Sequence, residues 1–407
     1  MRHATCIALA AVASLGLAMP ACGQQARPEH LTDTAPKLEV DVIGDILYNS
    51  NVADSDALAA EKRGLTPQDV LFTPAINLDI VRPLGAANAF LNGAAGYVFH
   101  ANNPILNRER VGLTGGVNSQ LFHCEETLSG ATTIQQSDLN EITLLVVKNT
   151  SYIDRVNVLA SCGRSVGFSP SFSVSQTWAT NSNSEEYSND HRLFAVTGGM
   201  GYKTASLGTF GGIFEYNQLL YYNRQFTFGP DVFTQGYNTY TGGATYATRL
   251  GARLQGQAQI AYTDLVPTIP GGAGFKGLTY SFTGDYSLGA RLSVIGSFSR
   301  AAEPSTFADA NFSVNERETA TVAYALSERL KLRLTADVST QTFHGLLLDP
   351  TVDLTQETIW GVNAAAILKL NRRLSLTLSL GNQERDANVA RLSYSALLAG
   401  LQARAAF

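Results

Sequence analysis

The residues best suited to chemistry lie in a polar stretch at 181–191. Ser188, Asp190 and His191 supply a hydroxyl, a carboxylate and an imidazole, the three groups of a hydrolytic triad. A triad needs its nucleophile in a defined local motif, and no such motif surrounds the serines here. Polar loop residues beside the start of a strand account for the stretch, so we expect no enzymatic activity.

Two pairs of adjacent carboxylates, Glu125-Glu126 and Glu185-Glu186, could in principle act as general acid and base. Adjacent residues on a strand point to opposite faces of the sheet, which would separate the two groups. The histidines show no metal-ligand spacing with cysteine, aspartate or glutamate. The glycine-rich segment 198–201 is followed by neither a Lys-Ser/Thr pair nor a helix start, as a phosphate loop requires. We expect no metal and no cofactor.

The elements that would carry these residues alternate in polarity with a period of two, which predicts strands with one polar and one apolar face. Apolar residues make up 45% of the chain and charged residues only 15%, against roughly 25% charged in soluble proteins. Beyond the N-terminus there is no run of about 18 apolar residues, which excludes helical membrane spans. A sheet with one apolar face remains.

Two kinds of connection alternate from Lys37 onward. Short turns recur in a loose repeat at 250–254, 288–292, 326–330 and 370–374, with Gly, Ser or Asn where a hairpin needs unusual backbone angles. Nine longer, more polar connections are predicted at 51–68, 102–107, 137–148, 181–190, 224–234, 267–274, 303–311, 345–354 and 386–390. Together with eight short turns they predict eighteen strands.

The predicted fold is all-β: a transmembrane antiparallel β-barrel of about 18 strands over 37–407, with short periplasmic turns and longer outer loops. An unpaired backbone group in hydrocarbon costs several kcal/mol, so the sheet must close on itself. The last segment, 391–407, places alternate apolar residues opposite Arg404 and Gln402. For that segment alone, the edge strand of a soluble sheet is the alternative.

The N-terminus has the layout of a secretory signal peptide, with Arg2 and His3 before an apolar run from Cys6 to Met19. We predict a signal peptide over 1–23 and a short periplasmic segment over 24–36. A lipidated Cys22 is the alternative. Either interpretation takes the protein out of the cytoplasm, and with the barrel it predicts the cell outer membrane.

Of the four cysteines, Cys124 and Cys162 would remain in the barrel. They are predicted to lie at the start of the fifth strand and the end of the sixth, both at the periplasmic rim. Neighbouring strands bring such residues within the roughly 7 Å between Cα atoms that a disulfide needs. Two cysteines in an oxidising compartment pair more often than they stay free, so we predict a disulfide and keep two unpaired thiols as the alternative.

Aromatic residues on the apolar parity predict two girdles at the membrane interfaces, where amphipathic rings prefer to lie. The girdle candidates are Trp178, Tyr202, Tyr246, Tyr286, Tyr324, Trp360 and Phe407. The opposite parity selects residues that would line a water-filled bore, since a barrel of this size is too wide to be filled by side chains. The lumen-lining candidates are Glu39, Asp41, Asp45, Asn77, Asp79, Glu215, Asn217, Arg253, Gln255, Gln257, Gln259, Asp285, Arg317, Arg333, Asp337, Asn363 and Lys369.

The segments 108–117, 161–168 and 177–182 resemble a family of outer-membrane β-barrel porins associated with exopolysaccharide export. The resemblance implies a channel and, as substrate, a polysaccharide. These motifs are structural, so the resemblance transfers no functional residue.

Three functions are consistent with the sequence. The first is a channel for a hydrophilic solute, and export of a polysaccharide is the main prediction. The alternatives are a general diffusion porin and a non-conducting structural or adhesive barrel. We expect as partners the outer-membrane lipid, the barrel assembly machinery and, for export, periplasmic polysaccharide export proteins. The net charge of −5 and the absence of a basic patch argue against nucleic acid.

Overall fold

A computed structural model describes residues 36–138, 148–163, 166–228, 230–251, 253–305, 310–345 and 354–407. The predicted signal peptide and almost all of the 24–36 segment lie outside the described residues. The strands are β1 (Lys37–Asn49), β2 (Asp69–Leu84), β3 (Ala87–His100), β4 (Arg108–Leu121), β5 (Cys124–Asp138), β6 (Lys148–Cys162), β7 (Gly167–Asn181), β8 (His191–Thr204), β9 (Gly208–Phe228), β10 (Asp231–Leu250), β11 (Leu254–Pro267), β12 (Phe275–Leu288), β13 (Leu292–Pro304), β14 (Phe312–Ala325), β15 (Leu330–His344), β16 (Gln356–Lys369), β17 (Leu374–Ala387) and β18 (Tyr394–Ala406).

Each strand pairs antiparallel with its neighbours in the chain, and β18 pairs with β1. The seam runs from Asp41 opposite Ala406 to Asn49 opposite Leu398. The eighteen described strands therefore form one closed barrel, and closure gives both edges of the sheet a hydrogen-bonded partner. This confirms the predicted fold.

The alternation in sequence becomes an alternation in exposure. On β1, Leu38, Val42 and Ile46 are 68%, 46% and 47% exposed, whereas Asp41 on the opposite parity is 6% exposed. Large apolar side chains stand outward in the same way on the other strands, as on β11, where Ile260 is 61% exposed. An apolar outer face is the arrangement that a barrel needs in lipid.

Short turns join the strands at one end of the barrel. Gly251 and Gly289 follow β10 and β12 with φ of +66° and +67°, a backbone conformation that favours glycine. In the turn after β14, the Ser327 hydroxyl accepts from the amides of Arg329 and Leu330. After β16, Asn371 does the same for Arg373 and Leu374. The recurring Gly, Ser and Asn of the sequence repeat thus stabilise the tight turns.

One predicted connection is wrong. The expected long loop at 224–234 is instead the tip of a hairpin, because β9 continues to Phe228 and β10 begins at Asp231. A register shift lies between Thr234 and Gly236. The polar residues that suggested a loop lie on strands that extend beyond their neighbours, where both faces tolerate polar side chains.

The opposite ends of the strands, called the outer ends below, carry the longer connections. The β1–β2 connection contains the short helix α1 (Ala57–Lys62), capped by the Asp56 carboxylate, which accepts from the Ala59 amide. Leu65 of this connection packs against Leu106 of the β3–β4 connection. None of the described helices is long and apolar enough to cross a membrane.

Candidate transport pathway

Cross-strand partners share a face of a sheet, so the register shows which side chains lie together. Glu39 faces Asp79 and Asp41 faces Asn77, while Gln255 faces Asp285 and Thr335 faces Asn363. Following the partners around the barrel puts the lumen-lining candidates on one face, except Arg253, which lies in the turn before β11. This face is opposite the exposed apolar side chains. In a membrane it faces the interior of the barrel, and we call it the interior face.

Charged residues of opposite sign lie next to one another on the interior face around the seam. Arg404 of β18 donates to the Asp41 carboxylate and lies 3.9 Å from Glu39. Lys37 donates to Asp79 and lies 3.1 Å from Glu39. Sequence reasoning missed Lys37 and Arg404 as members of the site. Their parity relative to Glu39 and Gln402 was the signal that could have found them.

A second part of the interior face is uncharged and rich in hydroxyls. Thr263 on β11 lies between Thr241 on β10 and Thr279 on β12, with oxygen–oxygen distances of 3.1 Å and 2.8 Å. Toward the short turns, Gln255 donates to Asp285 at 3.2 Å. Thr263 and Thr279 are 3% and 9% exposed, so their hydroxyls bond to each other, whereas the exposed Gln255 can bond to a passing polar solute. The threonines were not among the candidates, although Thr263 and Thr279 share the parity of Gln255 and Asp285, which was the available signal.

Near the outer ends, a buried ion pair lies on the same face. Arg385 of β17 donates from Nε to Oε2 of Glu357 on β16 at 2.9 Å, and a second bond from Nη2 reaches the same oxygen. Arg385 is 2% exposed and Glu357 5%. Two charge-assisted hydrogen bonds to one carboxylate oxygen offset part of the cost of burying both charges.

The predicted girdle residues lie on the outward face. Tyr202 faces Phe210, and Phe210 faces Tyr246, near the short turns of β8–β10. The ring centroids of Phe210 and Tyr246 are 4.6 Å apart. Toward the outer ends, Trp178 is 40% exposed and Trp360 faces Val338. Tyr286, Tyr324 and Phe407 are also exposed, at 41%, 39% and 70%. Contact of these rings with lipid remains a prediction.

Cys124 and Cys162 are direct cross-strand partners on β5 and β6, and the structure joins them by a disulfide. Their Cα atoms are 3.9 Å apart. Both lie at the short-turn end of the barrel, as the strand order predicted. Oxidation of the two thiols in the cell remains a prediction.

The hydrolase candidates do not form a triad. The Asp190 carboxylate accepts from the amide and side chain of Asn181, at 2.7 Å and 2.9 Å. The Nδ1 atom of His191 lies 2.8 Å from the carbonyl of Asn189. Within the described ranges, no three His, Cys, Asp or Glu side chains gather where they could hold a metal ion.

Comparison with known proteins identifies the family. No curated protein matches the sequence. Among solved structures, a mutant ferric enterobactin receptor, PfeA, of Pseudomonas aeruginosa aligns with a TM-score of 0.50 and 8% identity, over 92% of this chain and 81% of that one. OccK2 (OpdF) of the same organism aligns with a TM-score of 0.49 and 9% identity, over 91% of this chain and 97% of that one. At these identities the similarity shows the fold alone.

A family model described as Putative beta-barrel porin 2 matches residues 177–407, which is more than half of the chain. The match agrees with the closed barrel and its apolar outer face. It says nothing of polysaccharide export, so the diffusion porin, given above as an alternative, agrees with it better. The protein lies in the outer membrane, and the chain belongs to the Putative beta-barrel porin 2 family.

Proposed function

We propose that the barrel is a general diffusion channel, through which small hydrophilic solutes cross the outer membrane without chemical change. The observation that carries the proposal is the interior face of the closed barrel, where charges, amides and hydroxyls replace the apolar residues of the outer face. A polar wall around water offers solutes a path that the lipid does not.

The charge arrangement predicts weak ion selectivity. A strongly selective pore has rings of one sign. Here Arg404 lies against Asp41, and Lys37 lies against Asp79, so positive and negative charges largely cancel over short distances. Neutral and weakly charged solutes should therefore pass with little discrimination by charge.

Polysaccharide export is the less favoured of the two channel functions. Exposed amide groups such as that of Gln255 would suit a sugar, but they suit any neutral polar solute equally well. Periplasmic export proteins as partners remain a prediction that depends on export. Association with outer-membrane lipid and with the barrel assembly machinery belongs to the proposal for any barrel of this kind.

The purified protein in planar bilayers tests the proposal. We expect discrete, ohmic conductance steps with a reversal potential close to zero in a salt gradient. Liposomes containing the protein should swell in isosmotic solutions of small sugars. If bilayers show no conductance although gel mobility shows that the protein is folded, the proposed channel function is refuted. A deletion strain distinguishes export, since normal polysaccharide secretion by that strain would exclude it.

A further inference from the structure

The interior face carries apolar residues where polar ones are expected. Leu193 faces Leu219, and Leu219 faces Tyr237. On the next two strands, Leu265 of β11 faces Phe275 of β12. These five residues of β8–β12, all near the outer ends, are called the inner apolar strip below. A water-filled bore would leave such a strip exposed, so its burial needs an explanation.

The strip is covered by the outer ends of β13 and β14. Tyr237 and Leu265 are 0% and 1% exposed. They form one packed cluster with Leu219, and with Ala302 of β13 and Phe312 and Val314 of β14. The ring of Phe312 lies with its centroid 6.1 Å from that of Phe275. The apolar strip is therefore one half of a core, and the other half comes from strands that should stand beside it in the wall.

The register shows how β13 and β14 reach this position. The ladder between β12 and β13 ends at Tyr280 opposite Arg300. The ladder between β13 and β14 continues further, to Pro304 opposite Phe312. Beyond Arg300 the two strands thus stay paired with each other but leave β12. β14 also keeps its ladder with β15, to Phe312 opposite His344. The outer ends of β13 and β14 therefore separate from β12 while β15 still holds them to the wall, and from there they reach the interior face of β9–β12.

Parity and burial agree with this path. Val314 shares its parity with Val322, a residue of the outward face, yet Val314 packs against the interior face of β9–β11. Phe312, Ser313 and Val314 are 5%, 2% and 8% exposed. Successive residues on a strand point to opposite faces, so the segment is covered on both sides. A segment lying inside the barrel wall meets this condition, and a strand of a single-layered wall does not.

Contacts fix the segment at two distant points of the rim. Tyr221 of β9, 0% exposed, donates from its hydroxyl to the carbonyl of Ser305 at 2.8 Å. On the other side, Ala310 belongs to a buried cluster with Ala387 and Leu392, which flank the β17–β18 connection. Since β9 and β17 are eight positions apart in a closed ring of eighteen strands, the end of this hairpin contacts two parts of the wall that are not neighbours.

We propose that residues 301–305 and 310–315, called the crossbar below, form the constriction of the channel and set the size of the solute that enters. The inference rests on the proposed diffusion function. The crossbar presents Glu303 and Asn315 on the face opposite its apolar contacts, and the Asn315 amide donates to the Glu303 carboxylate at 3.1 Å. Arg317, one step further along the same face, adds a positive charge. Such a constriction lowers the size limit for the solutes that enter.

Shortening the hairpin tests the crossbar. Ala301 and Asn315 are direct cross-strand partners, so replacing 302–314 by Asn-Gly joins them through a two-residue turn. We expect a severalfold rise in single-channel conductance and swelling of liposomes in larger sugars than the native protein admits. The matched control replaces 226–233 by Asn-Gly between Gln225 and Thr234, which are also direct partners. That hairpin lies outside the packed cluster, so its conductance should equal the native value.

A point variant covers the case in which the shortened barrel fails to fold. Val314→Asp places a carboxylate against the inner apolar strip and should raise conductance, whereas Val314→Ala keeps an apolar contact and should change it little. Native conductance and native sugar size limits in the shortened barrel and in Val314→Asp would overturn the crossbar and leave the channel standing. If the native, shortened and control barrels all fold and pass no current, the proposed channel function is refuted. A silent native barrel would refute the diffusion function even if the shortened barrel conducts.

Discussion

Arg404 and Asp41 form an ion pair across the seam where β18 closes the barrel on β1. In the register, Asp41 faces Ala406 and Arg404 faces Ile43, so the pair is diagonal and spans one step of the ladder. Asp41 is 6% exposed, while the Arg404 side chain is 34% exposed. The pair joins residues 363 positions apart in sequence, and it adds a side-chain contact to the ladder that closes the barrel.

Replacing Asp41 by Asn should weaken the seam. The substitution keeps the shape of the side chain and removes the charge. Hydrogen bonds to charged groups contribute about 1.5–3 kcal/mol, and the partial exposure of Arg404 moves the expected loss to about 1–2 kcal/mol. The temperature at which folded protein loses its fast mobility on an SDS gel should fall. Asp45→Asn is the control, since Asp45 faces Gln402 and Thr73, and an equal fall in both variants would contradict the role of the pair.

The barrel could be predicted from the sequence because its two faces have different solvents. Lipid outside and water inside impose opposite demands at every second residue, and that pattern identifies strands such as β11 and β15 without any knowledge of their partners. The connection at 224–234 was mispredicted for the same reason. Outside the membrane the two faces of a strand are no longer distinguished, so Arg224 and Gln225 on β9 read as loop residues.

The buried pair of Arg385 and Glu357 gives a second prediction. Glu357→Gln would leave the guanidinium buried without its carboxylate, which costs about 3–5 kcal/mol. The double variant Arg385→Met with Glu357→Met should lie closer to the native protein, because no charge is then buried. Urea unfolding in detergent micelles measures both. A double variant that is less stable than Glu357→Gln would show that the pair contributes net stability instead of only compensating for its burial.

The constriction could not be predicted, because it depends on where a ladder stops. Loop lengths alone leave open which connection, if any, folds inward, and the β13–β14 connection is short. The crossbar uses the ends of two strands instead. A signal was present in Leu193, Leu219, Tyr237, Leu265 and Phe275, apolar residues on a polar parity. Ala302 and Val314, which pack against them, gave no such signal, because both are apolar residues on the outward-facing parity of their own strands.

The cysteine pair gives a third prediction. Peptides containing Cys124 and Cys162 should migrate as one linked species in mass spectrometry of unreduced protein. For two residues 38 positions apart, the chain-entropy estimate of the stabilisation is about 4 kcal/mol. Replacing both by Ser should therefore lower the unfolding temperature, and by the same amount as reduction of the native protein. Free thiols on both residues in protein isolated from outer membranes would exclude the bridge.

Charge reversal at Arg333 gives the last prediction and concerns the solute. Arg333 lies on the interior face of β15 between Ala323 on β14 and Ala365 on β16. Its neighbours are small, so the guanidinium can extend into the bore. Arg333→Glu replaces one positive charge by one negative charge at a fixed place in the wall, which should move the reversal potential in a salt gradient toward cation preference and leave conductance in concentrated salt nearly unchanged, because salt screens the charge. Arg372→Glu makes the same change of charge in the turn between β16 and β17 and should shift the potential less. Equal shifts from the two positions would mean that Arg333 acts only through the net charge of the protein. The assignment of Arg333 to the lumen would then be wrong.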